Sequence, residues 1–212
     1  MRRNFISVVV VFLAFGFAAQ PLHAQVGRGA FGFGLNVGGN MLQSDWKTDN
    51  PGFGASADVS YSLKSNWGLA SSLGVDQFRG VNKLNQNVAS TIFRASIAVS
   101  YEFLRDKPVN PFIFAGAGWM LYTPRVVGGG ALFNGQYPPY DVLAFGGVGI
   151  DYYVNESWSV IVKAEAGMMG TDAADGYVTG SNDTFARVSI GIRYYLFDRS
   201  TVERIVDTVT KR

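Results

Sequence analysis

Residues 183–197 read DTFARVSIGIRYYLF. Ala186, Val188, Ile190, Ile192, Tyr194 and Leu196 alternate with Arg187, Ser189, Gly191 and Arg193, the period-2 pattern of a strand with one apolar and one polar face. Two arginines thus share the face opposite the apolar one. In a soluble sandwich the apolar face turns inward and the arginines meet water. In a barrel held in lipid the assignment inverts, with the apolar face outward and the arginines in the lumen. The rest of the chain decides between them.

The chain begins MRRNFISVVVVFLAFGFAAQPLHA. Arg2 and Arg3 precede an apolar run from Phe5 to Ala19, too short to span a bilayer comfortably, and Ala24 is a small residue suited to cleavage. Residues 1–24 therefore read as a secretory signal peptide; the alternative is an uncleaved N-terminal anchor. Loss of Arg2 and Arg3 from 18 basic residues balances the 16 acidic ones, and a neutral chain lacks the basic excess expected of a nucleic-acid binder. The single histidine, His23, leaves with the leader, and there is no cysteine. Histidine-based acid/base catalysis, thiol chemistry and the usual zinc or copper ligand sets are thereby excluded. No cofactor or metal is expected.

Alternation recurs along residues 25–197. Strands are expected over 29–42, 53–63, 67–76, 91–103, 111–122, 141–154, 158–168 and 183–197. Polar connections over 43–50, 79–87, 123–140 and 170–182 alternate with tight turns at 64–66, 105–110 and 155–157. In 111–122 the faces are poorly distinguished, and Ile113, Ala115, Ala117, Trp119 and Leu121 are assigned outward. Eight strands whose connections alternate long and short predict an all-β, antiparallel, up-and-down transmembrane barrel with long loops outside the cell and short turns in the periplasm. A soluble lipocalin-like barrel also has eight strands, but needs polar residues on its outer face. Here nearly every strand gathers Gly, Ser and charge on one face and uninterrupted apolar residues on the other.

Two hairpins, Tyr61 to Trp67 and Tyr152 to Trp158, share the spacing from tyrosine to tryptophan across a turn. With Tyr101 and Tyr194 they predict an aromatic girdle at headgroup level. The inward faces carry Asp58, Asp76, Glu102, Asp151 and Glu165 against Arg94, Lys163, Arg187 and Arg193. An eight-stranded interior is filled by side chains, and unpaired charge there is costly. A lumen closed by ion pairs follows, with Glu165 and Asp58 as partners for Arg187 and Arg193. A catalytic use of paired acids, as in a lipid-modifying enzyme relying on Glu165 or Asp151, is the competing reading of these carboxylates. Asp172, Asp175 and Asp183 with Gly176 offer oxygen ligands for calcium, but their spacing fits no EF-hand. Trp46, Phe133, Tyr137 and Tyr140 are loop aromatics available for surface contacts.

With its export signal, eight alternating strands and the hairpin GVGIDYYVNESWSV at 147–160, the chain resembles the small outer-membrane β-barrel family that includes the OmpA transmembrane domain, OmpX-like proteins and opacity-type adhesins. The resemblance implies a non-enzymatic structural or adhesin-like role in the outer membrane. The alternative is a narrow porin-like channel. It also implies a terminal signal for the barrel-assembly machinery, matched in register by Ser189, Gly191, Tyr194 and Leu196 ahead of Phe197. Expected partners are outer-membrane lipid, that machinery and a surface ligand through the loops. The chain departs from many members by continuing past Phe197. Val202, Ile205, Val206 and Val209 recur at helical spacing, so residues 198–212 read as a short periplasmic tail, either an amphipathic helix or a frayed end.

Overall fold

A computed structural model describes residues 31–43, 46–63, 66–82, 84–105, 107–130, 140–155, 157–170, 174 and 182–197. The expected leader at 1–24, the tail at 198–212, and Phe133, Tyr137, Asp172, Asp175 and Gly176 lie outside them. Eight strands form, β1 (Phe31–Gln43), β2 (Thr48–Ser62), β3 (Trp67–Val81), β4 (Asn87–Glu102), β5 (Val109–Val126), β6 (Tyr140–Tyr153), β7 (Trp158–Met169) and β8 (Thr184–Phe197). Each pairs antiparallel with its neighbours in sequence, and β8 pairs with β1 to close the barrel. Closure runs from Gln43↔Thr184 to Phe31↔Phe197, with one irregularity between Phe31 and Gly32. No helix among the described residues is long and apolar enough to cross a membrane; here the strands supply the crossing.

Period-2 alternation survives throughout, and the side chains that it turns outward are apolar. Leu73 is 66% exposed, Trp119 69% and Val188 61%, and they belong to a belt that encircles the barrel. A soluble protein does not display so large an apolar surface. In β5, Ile113, Trp119 and Leu121 point outward as assigned.

The expected alternation of long and short connections holds after β4, with 127–139 and 170–183 long, but not before it. β2 begins at Thr48, β3 continues to Val81 and β4 begins at Asn87, so residues 44–47 and 82–86 are as brief as the turns at the other end. Thr48↔Val81, Asp49↔Gly80 and Asn50↔Arg79 extend the ladder into sequence that reads as loop. Polarity there reports emergence from lipid, not the end of pairing. The turn after β3 is built by Asn82, whose Oδ1 accepts from the backbone N–H groups of Leu84 and Gln86 at 3.0 and 2.8 Å, with Asn85 in the left-handed region at φ 57°. β5 likewise runs past both expected ends, to Val109 and Val126.

Glycines on the inward face make room for larger neighbours. A Cβ on Gly34 would lie 2.7 Å from the Asp58 carboxylate, and one on Gly149 would strike the Phe112 ring. Replacing Gly149 by Val is expected to destabilise the barrel by about 1–3 kcal/mol through overpacking. Urea titration of the protein in lipid vesicles, followed by the loss of the mobility difference between unboiled and boiled samples, measures this.

Candidate functional site: a lumen in two layers

Inward parity places one side chain in two within the barrel, and closure then decides which of them meet. Asp76 of β3 and Glu165 of β7 lie on opposite walls, and Arg94 spans them, with Nε 3.2 Å from Asp76 and Nη1 2.8 Å from Glu165. Arg187 of β8 approaches the same two carboxylates at 3.7 and 3.8 Å. Nearer the short turns, Arg193 reaches Asp58 through Nη2 and Asp151 through Nη1, both at 3.1 Å. Lys163 Nζ stands 3.7 Å from the other oxygen of Asp58. All nine charged residues expected in the lumen are thus inward.

Four further residues complete the layer. Asn36 Nδ2 donates to Asp58 at 2.6 Å and Asn40 Nδ2 to Asp76 at 3.0 Å. Tyr195 donates its hydroxyl proton to Asp151 at 2.9 Å. Arg105, in the turn after β4, folds back under the barrel with Nε 3.6 Å from Glu102 and donates through Nη1 to the Leu63 carbonyl at 2.9 Å. Its position in a turn gave no face to read, so sequence periodicity could not find it. With Arg105 the paired groups number five acids and five bases, a neutral set whose mutual pairing offsets the cost of burial.

Above this layer the lumen is apolar, which was not expected. Leu42, Phe78, Val88, Ile92, Met120, Tyr122, Leu143, Met169 and Phe185 pack together as one buried cluster. Trp46, 5% exposed, and Ala174 close its outer end, and the Ser90 hydroxyl donates to the Ala174 carbonyl. Trp46 is therefore a core residue and not a loop aromatic free for contacts, because the short β1–β2 connection folds it over the barrel mouth against Gly80. Tyr140 opens β6 on the outward wall, 62% exposed. The signal for the apolar layer lies in the inward parity of Leu42, Ile92, Met120, Tyr122 and Leu143 within the expected strands, whereas Phe78, Val88 and Met169 sit beyond the expected strand ends. A cavity of about 80 Å³, lined by Ser72, Ser96, Glu102 and Lys163 together with Phe112 and Phe114, has room for a few water molecules. No buried member of the apolar cluster lines it.

At the short-turn end, Trp67 packs edge-on against Tyr101 at 5.2 Å, Tyr101 against Phe103 at 5.3 Å, Trp158 against Tyr194 at 4.8 Å and Phe31 against Tyr61 at 4.7 Å. Tyr152 pairs with Val109 and Val160 at the same level. Of the proposed assembly signal, Ser189 is inward and buried, Gly191 lies beneath Asn36, and Leu196 is exposed outward. Among the described residues no cluster of His, Cys, Asp and Glu is arranged to hold a metal ion.

A closed eight-stranded barrel with an apolar belt, aromatic residues at its short-turn end and a charged lumen defines the class of outer-membrane barrels. The chain belongs to the outer membrane protein beta-barrel domain family, which matches residues 10–195, and it is an outer-membrane protein. Its fold is similar to that of Neisserial surface protein A, with a TM-score of 0.56 and 16% identity over 79% of this chain and 99% of that one. It is also similar to Ail, the attachment invasion locus protein of Yersinia pestis, solved with the heparin analogue sucrose octasulfate, at 0.51 and 12% over 80% and 99%. A third similar structure is a major outer membrane protein of Thermus thermophilus, at 0.52 and 12% over 79% and 100%. No curated protein matches in sequence. At these identities the likeness is one of fold.

Because Arg94 and Arg187 share Glu165 and Asp76, neutralising Glu165 leaves two buried cations with the single charge of Asp76. Glu165→Gln is expected to cost about 3–5 kcal/mol of unfolding free energy, read by urea titration in vesicles.

Proposed function

We propose that the chain is a sealed, non-enzymatic barrel whose role is structural or surface-interacting, exercised through its extracellular end. The observation that carries this reading is the stacking of two unlike layers. An ion crossing the lumen would have to break the Arg94–Asp76–Glu165–Arg187 set and then shed its hydration within the cluster around Phe78, Met120 and Phe185, a double penalty. The carboxylates are engaged with arginine and lysine, and the single histidine, His23, lies in the expected leader, which supports the absence of catalysis. A surface role is in keeping with the solved complex of Ail with a heparin analogue.

Planar-bilayer recordings on refolded protein separate this reading from that of a narrow porin-like channel. The expected result is no steady unitary conductance. Reproducible open-channel steps would overturn the sealed lumen.

We further propose that Ser189, Gly191, Tyr194, Leu196 and Phe197 are read by the barrel-assembly machinery, and that residues 1–24 are removed on export. Leu196→Asp is expected to leave refolding into detergent largely intact while unassembled protein accumulates in cells. Equal loss in both settings would assign Leu196 to folding alone.

A further inference from the structure

The outward wall carries charge in one place. Among the described strand residues, Arg79 of β3 and Arg125 of β5 are the only charged side chains on the lipid-facing side. They lie in one row, since Arg79 pairs with Ala89 of β4 and Ala89 pairs with Arg125. The two arginine backbones are therefore separated by two strand spacings, about 9.5 Å. Ala89 between them is only 4% exposed although it faces outward, as expected of a methyl group flanked by long stems.

Height along the barrel sets what these arginines meet. Trp67, Tyr101 and Ile113 share a row in the short-turn aromatic region, and the same strands reach Arg79, Ala89 and Arg125 about 40 Å of chain later. At a tilt near 40° that is about 31 Å along the membrane normal, just beyond an apolar band of about 25 Å. The row beneath is Gln77↔Thr91↔Thr123, flanked by Phe53 as the partner of Gln77 on β2, and below it come Val75, Phe93 and Leu121; Phe53 and these three are all exposed to lipid. The guanidinium groups thus stand at the headgroup level of the outer leaflet.

Arg79 is held there. Its guanidinium carbon lies 5.5 Å from the Phe53 ring centroid, and its Nε and Nη2 donate to Gln77 Oε1 at 3.2 and 2.6 Å, leaving other N–H donors of the fork free. Arg125 is exposed and has no partner among the described residues. No Asp or Glu shares the outward face of β2–β5; Asp49 pairs with Gly80 on the opposite face. Two forked cations around a small residue, above hydroxyls and an apolar wall, suit a phosphate that is attached to acyl chains.

We propose that Arg79 and Arg125, with Gln77, Thr91 and Thr123 beneath them, form a binding site for the phosphate headgroup of an outer-leaflet phosphorylated lipid whose chains lie on Phe53, Val75, Phe93 and Leu121. A lipid is favoured over a soluble polyanion because the cations continue the lipid-facing wall and are not carried by a loop tip. The site is independent of whether the lumen conducts.

The test is native mass spectrometry of the refolded protein in detergent micelles supplied with diphosphoryl lipid A or its dephosphorylated form. Wild type is expected to retain the phosphorylated lipid selectively, and R79Q/R125Q to lose about thirtyfold in apparent affinity. Lys107→Gln removes one exposed cation at the opposite end and is expected to bind as wild type does. Both variants lie outside the apolar band, and their heat-dependent mobility shift verifies folding. Equal retention by R79Q/R125Q would overturn the proposal. So would displacement of the lipid by millimolar inorganic phosphate, or arginine-dependent capture of heparin without capture of the lipid.

Discussion

The structure depends on the pairing of β1 with β8. Within lipid an unpaired backbone N–H or C=O has no water to turn to, so a sheet can cross only if its first and last strands satisfy one another. The ladder from Gln43↔Thr184 to Phe31↔Phe197 meets that demand and fixes which inward residues share a level. Arg193 of β8 can reach Asp58 of β2 because β1 lies between them with Gly34 opposite both residues. A slip of one residue at this seam would turn Arg187 and Arg193 into the hydrocarbon.

Closure also sets the character of the interior. An eight-stranded barrel has an interior that side chains can fill, and its contents must pack as well as balance charge. The protein divides the task by height. Paired acids and bases occupy the half toward the short turns, where serines and a small cavity of mixed lining accompany them, and a packed apolar cluster occupies the half toward the loops. Outside, the order is reversed in kind, with an apolar belt across the membrane and the Arg79–Arg125 pair where the belt ends. The same two-residue period serves both surfaces.

Much of this was legible residue by residue. Alternation alone separated Arg94, Glu165 and Arg187 from Phe93, Ala164 and Val188, because a strand's faces are a local property that the backbone pleat enforces wherever the strand lies. Arg105 escaped because a turn residue has no face. Trp46 reads as a loop aromatic because it sits in a polar connection, and local polarity does not tell whether a connection folds back over the barrel. The apolar layer is hard to read because Phe78, Val88 and Met169 sit past the expected strand ends, and strand pairing outlasts the lipid-facing pattern that advertises it.

The sequence by itself determined that two-faced strands recur between residues 31 and 197, with Arg94, Glu165 and Arg187 on the face opposite Phe93, Ala164 and Val188. Only the tertiary structure decided which charge meets which, that Asp76 and Glu165 share two arginines, and that Arg79 and Arg125 stand in one row. The physical reason is that facing is settled within a few residues, whereas level is settled by the register of eight ladders and by the seam between strands at opposite ends of the chain.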